Sequence, residues 1–178
     1  LYYAEDFNQW AGTTNKFKED RIVIPLLDSN GKMIGYQGRS LQKDATLRYI
    51  TIMVDESHPK IFGLDRVNFN KKVYVTEGPF DSYFIRNAIA MCGSDVDLSN
   101  FDCEFIYTFD NEPRSREIVA RIETVIKNKS TVVIFPKTIK EKDLNDMALA
   151  GHDVQNLVEY NNYQGLEATI KLNEWKKV

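Results

Sequence analysis

Three short apolar runs constrain this chain more than anything else in it: VYVT at 73–76, EFIYTF at 104–109 and TVVIF at 131–135. A strand with one solvated face alternates apolar and polar residues, whereas a strand covered on both faces is apolar nearly throughout. The stretches between these runs carry a helical period instead. Ile118, Ile122, Val125 and Ile126 share one face of a helix over 114–128. Further helices are expected over 79–90 and from 143 to 150, and a short strand from Ile89 to Cys92. Two-sided strands separated by helices imply an α/β fold with a parallel sheet flanked by helices.

The first third has a different texture. Arg21–Leu27 and Lys32–Gln37 are strand candidates joined by the turn Asp28-Ser-Asn-Gly31, which makes a hairpin, and Leu47–Ile52 is a third strand. The expected organisation is a small β-rich lobe over 1–70, an α/β domain over 71–150 and a helical extension over 151–178.

Each apolar run is followed by carboxylates. Glu77 and Asp81 follow the first, Asp110 and Glu112 the second, and Asp143 and Asp146 lie a short loop beyond the third. In a parallel sheet all three groups gather at the carboxyl edge, where such sheets place their sites. Ordinary structural roles compete with that reading. Asp81 suits the first turn of a helix, Pro113 suits the start of one, and Asp143 suits an N-cap. Glu77 has the weakest such alternative, because Glu caps poorly and stands at the strand's end. Gathered carboxylates repel one another, and a hard divalent cation with oxygen ligands is the usual compensation.

Charge and cysteine content bound the alternatives. The net charge is −3, which argues against simple adhesion to nucleic acid. Residues 1–72 hold eleven Lys and Arg against nine Asp and Glu, while residues 73–178 hold twelve against seventeen. That division suits a carboxylate metal site beside a phosphate-binding lobe. Cys92 and Cys103 make neither a disulfide framework nor, with His58 and His152 far away in sequence, a zinc site. No apolar run approaches the roughly 18 residues that span a bilayer, so no membrane association is expected and a cytoplasmic location is.

The residues Glu77-Gly78-Pro-Phe-Asp81 and Asp110-x-Glu112, each after an apolar strand, resemble the Toprim domain of primases, topoisomerases and some nucleases. Ahead of them, Arg21-Ile-Val-Ile-Pro25, Asp28-x-x-Gly31, Gly38-Arg39 and Phe62-Gly63-Leu64 resemble the lobe preceding Toprim in DnaG-like bacterial and phage primases. Lys142-Asp143-Leu-Asn-Asp146 is similar to a later acidic segment of the same family, so the resemblance runs colinearly over 17–150. Three departures stand out. Glu112 replaces a usual aspartate, Asn145 a common one, and Gln37 a frequent glycine. The zinc-binding region that precedes such cores in the family has no counterpart in this sequence, and the chain is expected to be a core cut from a longer, phage-type protein.

The resemblance implies a Toprim-type sheet and a primase, an enzyme that makes short RNA primers on single-stranded DNA by metal-assisted nucleotidyl transfer. It implies two Mg²⁺ or Mn²⁺ ions and no zinc. The implied metal ligands are Glu77, Asp110, Glu112 and Asp143, with Glu77 also the acid/base and Asp81 a second catalytic carboxylate. Arg39, Arg48, Lys60, Gly78 and Arg114 are the implied contacts to nucleotide or template. The implied partners are single-stranded DNA, ribonucleoside triphosphates and, for the full-length protein, a replicative helicase. For a phage-encoded chain the location is the host cytoplasm. The alternatives are a Toprim nuclease or topoisomerase-like phosphodiester enzyme, and a nucleic-acid-binding module whose metal motifs are weakened.

Overall fold

Asp28 folds the first apolar run back on itself. Its carboxylate accepts the backbone N–H groups of Asn30 (2.8 Å) and Lys32 (2.9 Å), and Gly31 takes the left-handed φ of +79° that closes the turn. The computed structural model describes residues 1–14, 17–93 and 96–178. It divides into one unit of Leu1–Arg66 with Cys92–Asp97, and a second of Val67–Met91 with Leu98–Val178.

In the first unit β1 (Tyr2–Ala4), β2 (Arg21–Leu27), β3 (Met33–Ser40) and β4 (Tyr49–Met53) form an antiparallel sheet in chain order. A short helix, α1 (Phe7–Trp10), and a two-residue strand, β5 (Ile61–Phe62), complete its regular elements. Phe7 is fully buried against Gly38, where any Cβ would come within 2.5 Å of the ring. Arg21 is 1% exposed. Its guanidinium donates to the carbonyls of Gly38 (2.8 Å), Leu47 (2.8 Å) and Arg48 (3.3 Å) and pairs with Glu19 at 2.8 Å. The arginine that opens the strand motif thus ties β2 to β3 and to the segment leading into β4.

In the second unit β6 (Val73–Thr76), β7 (Ala88–Met91), β8 (Phe105–Thr108) and β9 (Thr131–Val133) are parallel, and β10 (Asn162–Tyr163) joins β9 antiparallel. The spatial order within the unit is β10-β9-β8-β6-β7. Helices α2 (Arg116–Lys127), α3 (Leu144–Leu149), α4 (Val154–Tyr160) and α5 (Gly165–Trp175) cover the sheet. The two-residue alternation of the strands feeds two separate cores. Tyr74, Ile106 and Val133 pack with Leu144, Met147, Val154 and Val158, whereas Val132 and Ile134 pack with Ile118, Ile122, Leu172 and Trp175. The sheet is therefore flanked by helices on both faces, and the two-sided apolar strands follow from that.

One expected element is absent. Instead of a helix over 79–90 there is a single 3-10 turn, Asp81–Phe84. Ile85 is extended (φ −124°, ψ 133°) and Asn87 has a φ of +54°. The Asn87 side chain accepts the N–H of Asn68 (2.7 Å) and donates to the carbonyl of Lys72 (2.7 Å), which pins the left-handed turn and delivers the chain into β7. Tertiary bonds thereby override an apolar pattern that suited a helix. The strand β10 was not expected either, and β1 and α1 lie in a segment with no clear periodicity.

Candidate active site

The register of the sheet brings the first two acidic motifs together. Thr76 lies beside Thr108, so the residues after β6 and β8 leave the sheet at the same edge. The Thr76 hydroxyl lies within hydrogen-bonding distance of the carbonyls of Gly78 (3.0 Å) and Ile89 (3.2 Å), which curls the chain as it leaves the strand. Glu77 then accepts the backbone N–H of Asp110 through Oε2 at 3.2 Å. Its Oε1 binds the guanidinium of Arg121 from α2, and the other Arg121 amino group pairs with Glu117 at 2.7 Å.

Gly78 does not adopt a left-handed φ, so the turn needs no glycine on that account. Its role is spatial. A Cβ there would stand 3.0 Å from Oδ2 of Asp81, the first residue of the 3-10 turn.

Within the acidic edge, Asp110 is strongly perturbed. Burial first, and then the charges of Glu77, Asp81 and Asp143, push its carboxyl up to about 7, with Lys142 opposing. The charges of three other carboxylates thus converge on Asp110. Lys142 stands 3.7 Å from Asp110 and 3.5 Å from Glu112. Asp143 caps α3 by accepting the N–H of Asp146 at 2.8 Å, as its alternative reading anticipated.

Between Asp110 and Glu112, Asn111 is buried and fully engaged. Its amide donates to the carbonyls of Ile139 (3.3 Å) and Glu141 (3.0 Å) and accepts the indole N–H of Trp175 (2.9 Å), while its backbone N–H meets the Lys142 carbonyl. The neutral middle residue of the motif locks the loop after β8 to the loop before α3. Neither Asn111 nor Arg121 was singled out from sequence. The cue for Arg121 was its i+4 spacing from Glu117 in a helix that follows an acidic motif.

Carboxylate oxygens gathered at one edge are the right donors for a hard divalent cation. Among the described residues, however, no group of three His, Cys, Asp or Glu side chains stands close enough to hold one. The reason is visible in the pairing. Arg121 holds Glu77, Lys142 lies between Asp110 and Glu112, and Asp143 is turned to its helix.

The basic residues divide between the two units. Arg39, Arg48 and Lys60 belong to the first unit, where Arg39 lies over the Tyr49 ring at 5.7 Å and Arg48 and Lys60 are exposed. Arg114 is exposed on the loop leading to α2 in the second unit.

A parallel α/β core with helices on both faces and an acidic carboxyl edge, alongside a β-rich unit, is the class that fold and site define. The comparisons with known proteins narrow it. No family model matches the chain. The DNA primase of Enterobacteria phage T4 is 39% identical over 175 residues, covering 94% of this chain and 51% of that protein. A DNA primase domain from Pseudomonas aeruginosa has a similar structure, with a TM-score of 0.64 at 22% identity over 88% of this chain and 55% of that one. The RNA polymerase domain of Mycobacterium tuberculosis primase DnaG, in complex with a double-stranded DNA oligomer bearing a 6-nucleotide overhang, gives 0.65 at 21% identity over 88% and 57%. In sequence the chain is similar to a DNA primase, and in fold to primase catalytic domains. It spans about half the length of the phage T4 relative.

Proposed function

We propose that this chain is the catalytic core of a DNA primase that synthesises short RNA primers on a single-stranded DNA template. The observation that carries the reading is the contact of Glu77 with the Asp110 backbone, which joins two acidic strand ends at one sheet edge in a chain of primase-like sequence. The DNA-bound tuberculosis homologue supports a nucleic-acid template.

In this reading Glu77, Asp110, Glu112 and Asp143 would hold Mg²⁺ or Mn²⁺, two ions being the working number. Bound there, such ions would stabilise charge developing on the α-phosphate and acidify the attacking hydroxyl. Glu77 Oε1, freed from Arg121, accepts the proton of the primer 3′-hydroxyl. The 3′-oxygen forms its bond to the α-phosphorus of the incoming ribonucleoside triphosphate, and pyrophosphate leaves. Asp81, beside Gly78, orients that edge from the 3-10 turn. Arg39, Arg48, Lys60 and Arg114 supply cations for triphosphate and template phosphates, with Arg the better fork for phosphate oxygens. A replicative helicase is the partner proposed for the full-length protein.

The test is incubation with single-stranded DNA, labelled ribonucleotides and Mg²⁺ or Mn²⁺. Short RNA products are expected. Shortened DNA without new RNA would favour a nuclease, and intact DNA that is bound but never copied would favour a binding module.

A further inference from the structure

Glu77 is engaged at both oxygens, by the Asp110 backbone on one side and by Arg121 on the other. Arg121 offsets the charge on Oε1 and so competes with a metal ion or a proton for it. The arginine is placed to leave. Its side chain is 41% exposed, its partner Glu77 is 21% exposed, and its second amino group already rests on Glu117, one helical turn back and 72% exposed. Leaving Glu77 therefore costs one ion pair and keeps the other.

We propose that Arg121 is a resident counter-cation of the acidic edge. It neutralises Glu77 in the metal-free protein and yields it to a divalent ion by withdrawing onto Glu117. The proposal rests on the metal-assisted reading above and makes metal entry an exchange of cations rather than the filling of an open site. Lys142 has the same relation to Asp110 and Glu112, at the longer distances of 3.7 and 3.5 Å. The stronger barrier to assembling the ligand set is thus the Arg121 contact. Arg121 is a positioning residue, and it sets metal affinity by competition.

A double-mutant cycle on the intact chain tests this through binding rather than activity. Mn²⁺ is titrated calorimetrically into the wild type, Arg121→Gln, Glu117→Gln and the double variant, and the metal-induced rise in melting temperature is read in parallel. Arg121→Gln should tighten Mn²⁺ binding by about two- to fivefold, the range of a partly exposed ion pair. Glu117→Gln should weaken it by about twofold in the wild type, since Arg121 then has no second dock, and leave it unchanged in the Arg121→Gln background. Arg121→Lys, which keeps the charge but loses the fork, should fall between wild type and Arg121→Gln and serves where the glutamine variant folds poorly.

Binding in Arg121→Gln with none in the wild type would support the exchange strongly. Unchanged or weaker binding in Arg121→Gln, with the wild type binding, overturns it while leaving the metal reading intact. An equal effect of Glu117→Gln in both backgrounds overturns the withdrawal onto Glu117. No binding in any variant overturns the metal reading and this inference with it.

Discussion

In the first unit, Arg21 pairs with Glu19 with side-chain exposures of 2% and 13%, and its two terminal amino groups also donate to three backbone carbonyls. In the second, Arg121 pairs with Glu77 at 41% and 21%, and its other bond goes to an exposed glutamate on its own helix. Both are Arg–Glu pairs in which the arginine sits on a regular element. One is committed to the backbone and cannot be withdrawn without leaving carbonyls bare. The other touches side chains alone among its hydrogen bonds here, so water or another cation can replace it. An ion pair's function follows less from its own geometry than from what else its members hold.

The sharpest way to break this comparison is to remove the carboxylate from each pair in turn. Glu77→Gln should lower primer synthesis by about a thousandfold if, as proposed, it deletes a proton acceptor and a metal ligand together. Its melting temperature should stay within a few degrees of the wild type. Glu19→Gln should behave inversely, losing stability while the residual folded protein keeps its rate. Rates and melting curves measured on both variants decide it, and a Glu77→Gln protein that still makes primers would end the assignment of Glu77.

The second prediction concerns the cations. Arg21→Met removes a buried partner and strands Glu19 with three carbonyls, a loss of about 3–5 kcal/mol in denaturant unfolding. A loss below about 1 kcal/mol would mean that the buried pair is as replaceable as the exposed one.

Much of this architecture was legible in the chain because burial writes itself into composition. Strands β2, β6, β8 and β9 and helix α2 sit within two or three residues of their expected places, since strands covered on both faces must be apolar and α2 must present one apolar stripe. The carboxylates stood out for the complementary reason, as charges at the ends of strands with no packing task. What stayed hidden depends on distant partners. Nothing near 79–90 announces that Asn87 will be held by Asn68 and Lys72. Nothing near Glu77 shows that its partner lies 44 residues on, at Arg121. The middle residue Asn111 read as a spacer, yet Trp175, 64 residues away, makes it a clamp.

A smaller effect separates the two units by pH. The Asp110 carboxyl is pushed up to about 7 in the fold, by burial and then by Glu77, Asp81 and Asp143, against 3.8 when unperturbed. The folded protein holds that proton more tightly than the unfolded chain. Its contribution to stability is therefore full below about 3.8 and is lost as pH rises through about 7. Asp110→Asn should be more stable than the wild type above pH 7, by roughly 1–3 kcal/mol, and equal to it near pH 4. Denaturant midpoints across that window measure the difference. A variant less stable than the wild type at pH 8 would show that the carboxylate is held by favourable bonds rather than strained by its neighbours.

The smallest effect is the most discriminating for the comparison itself. Arg121→Gln should change the stability of the metal-free protein by under about 1 kcal/mol, the range for partly exposed pairs. The sign should be a loss, because Glu77 then presses its full charge on Asp110. Salt should erase that loss, since at 1 M the screening length is about 3 Å and neighbouring carboxylates at the solvent edge cease to feel one another strongly. The deficit of Arg21→Met should survive the same salt, because it arises from carbonyls stranded in the interior where ions do not reach. If instead both deficits persist at high salt, Arg121 is a structural member like Arg21, and the acidic edge must assemble without displacing it.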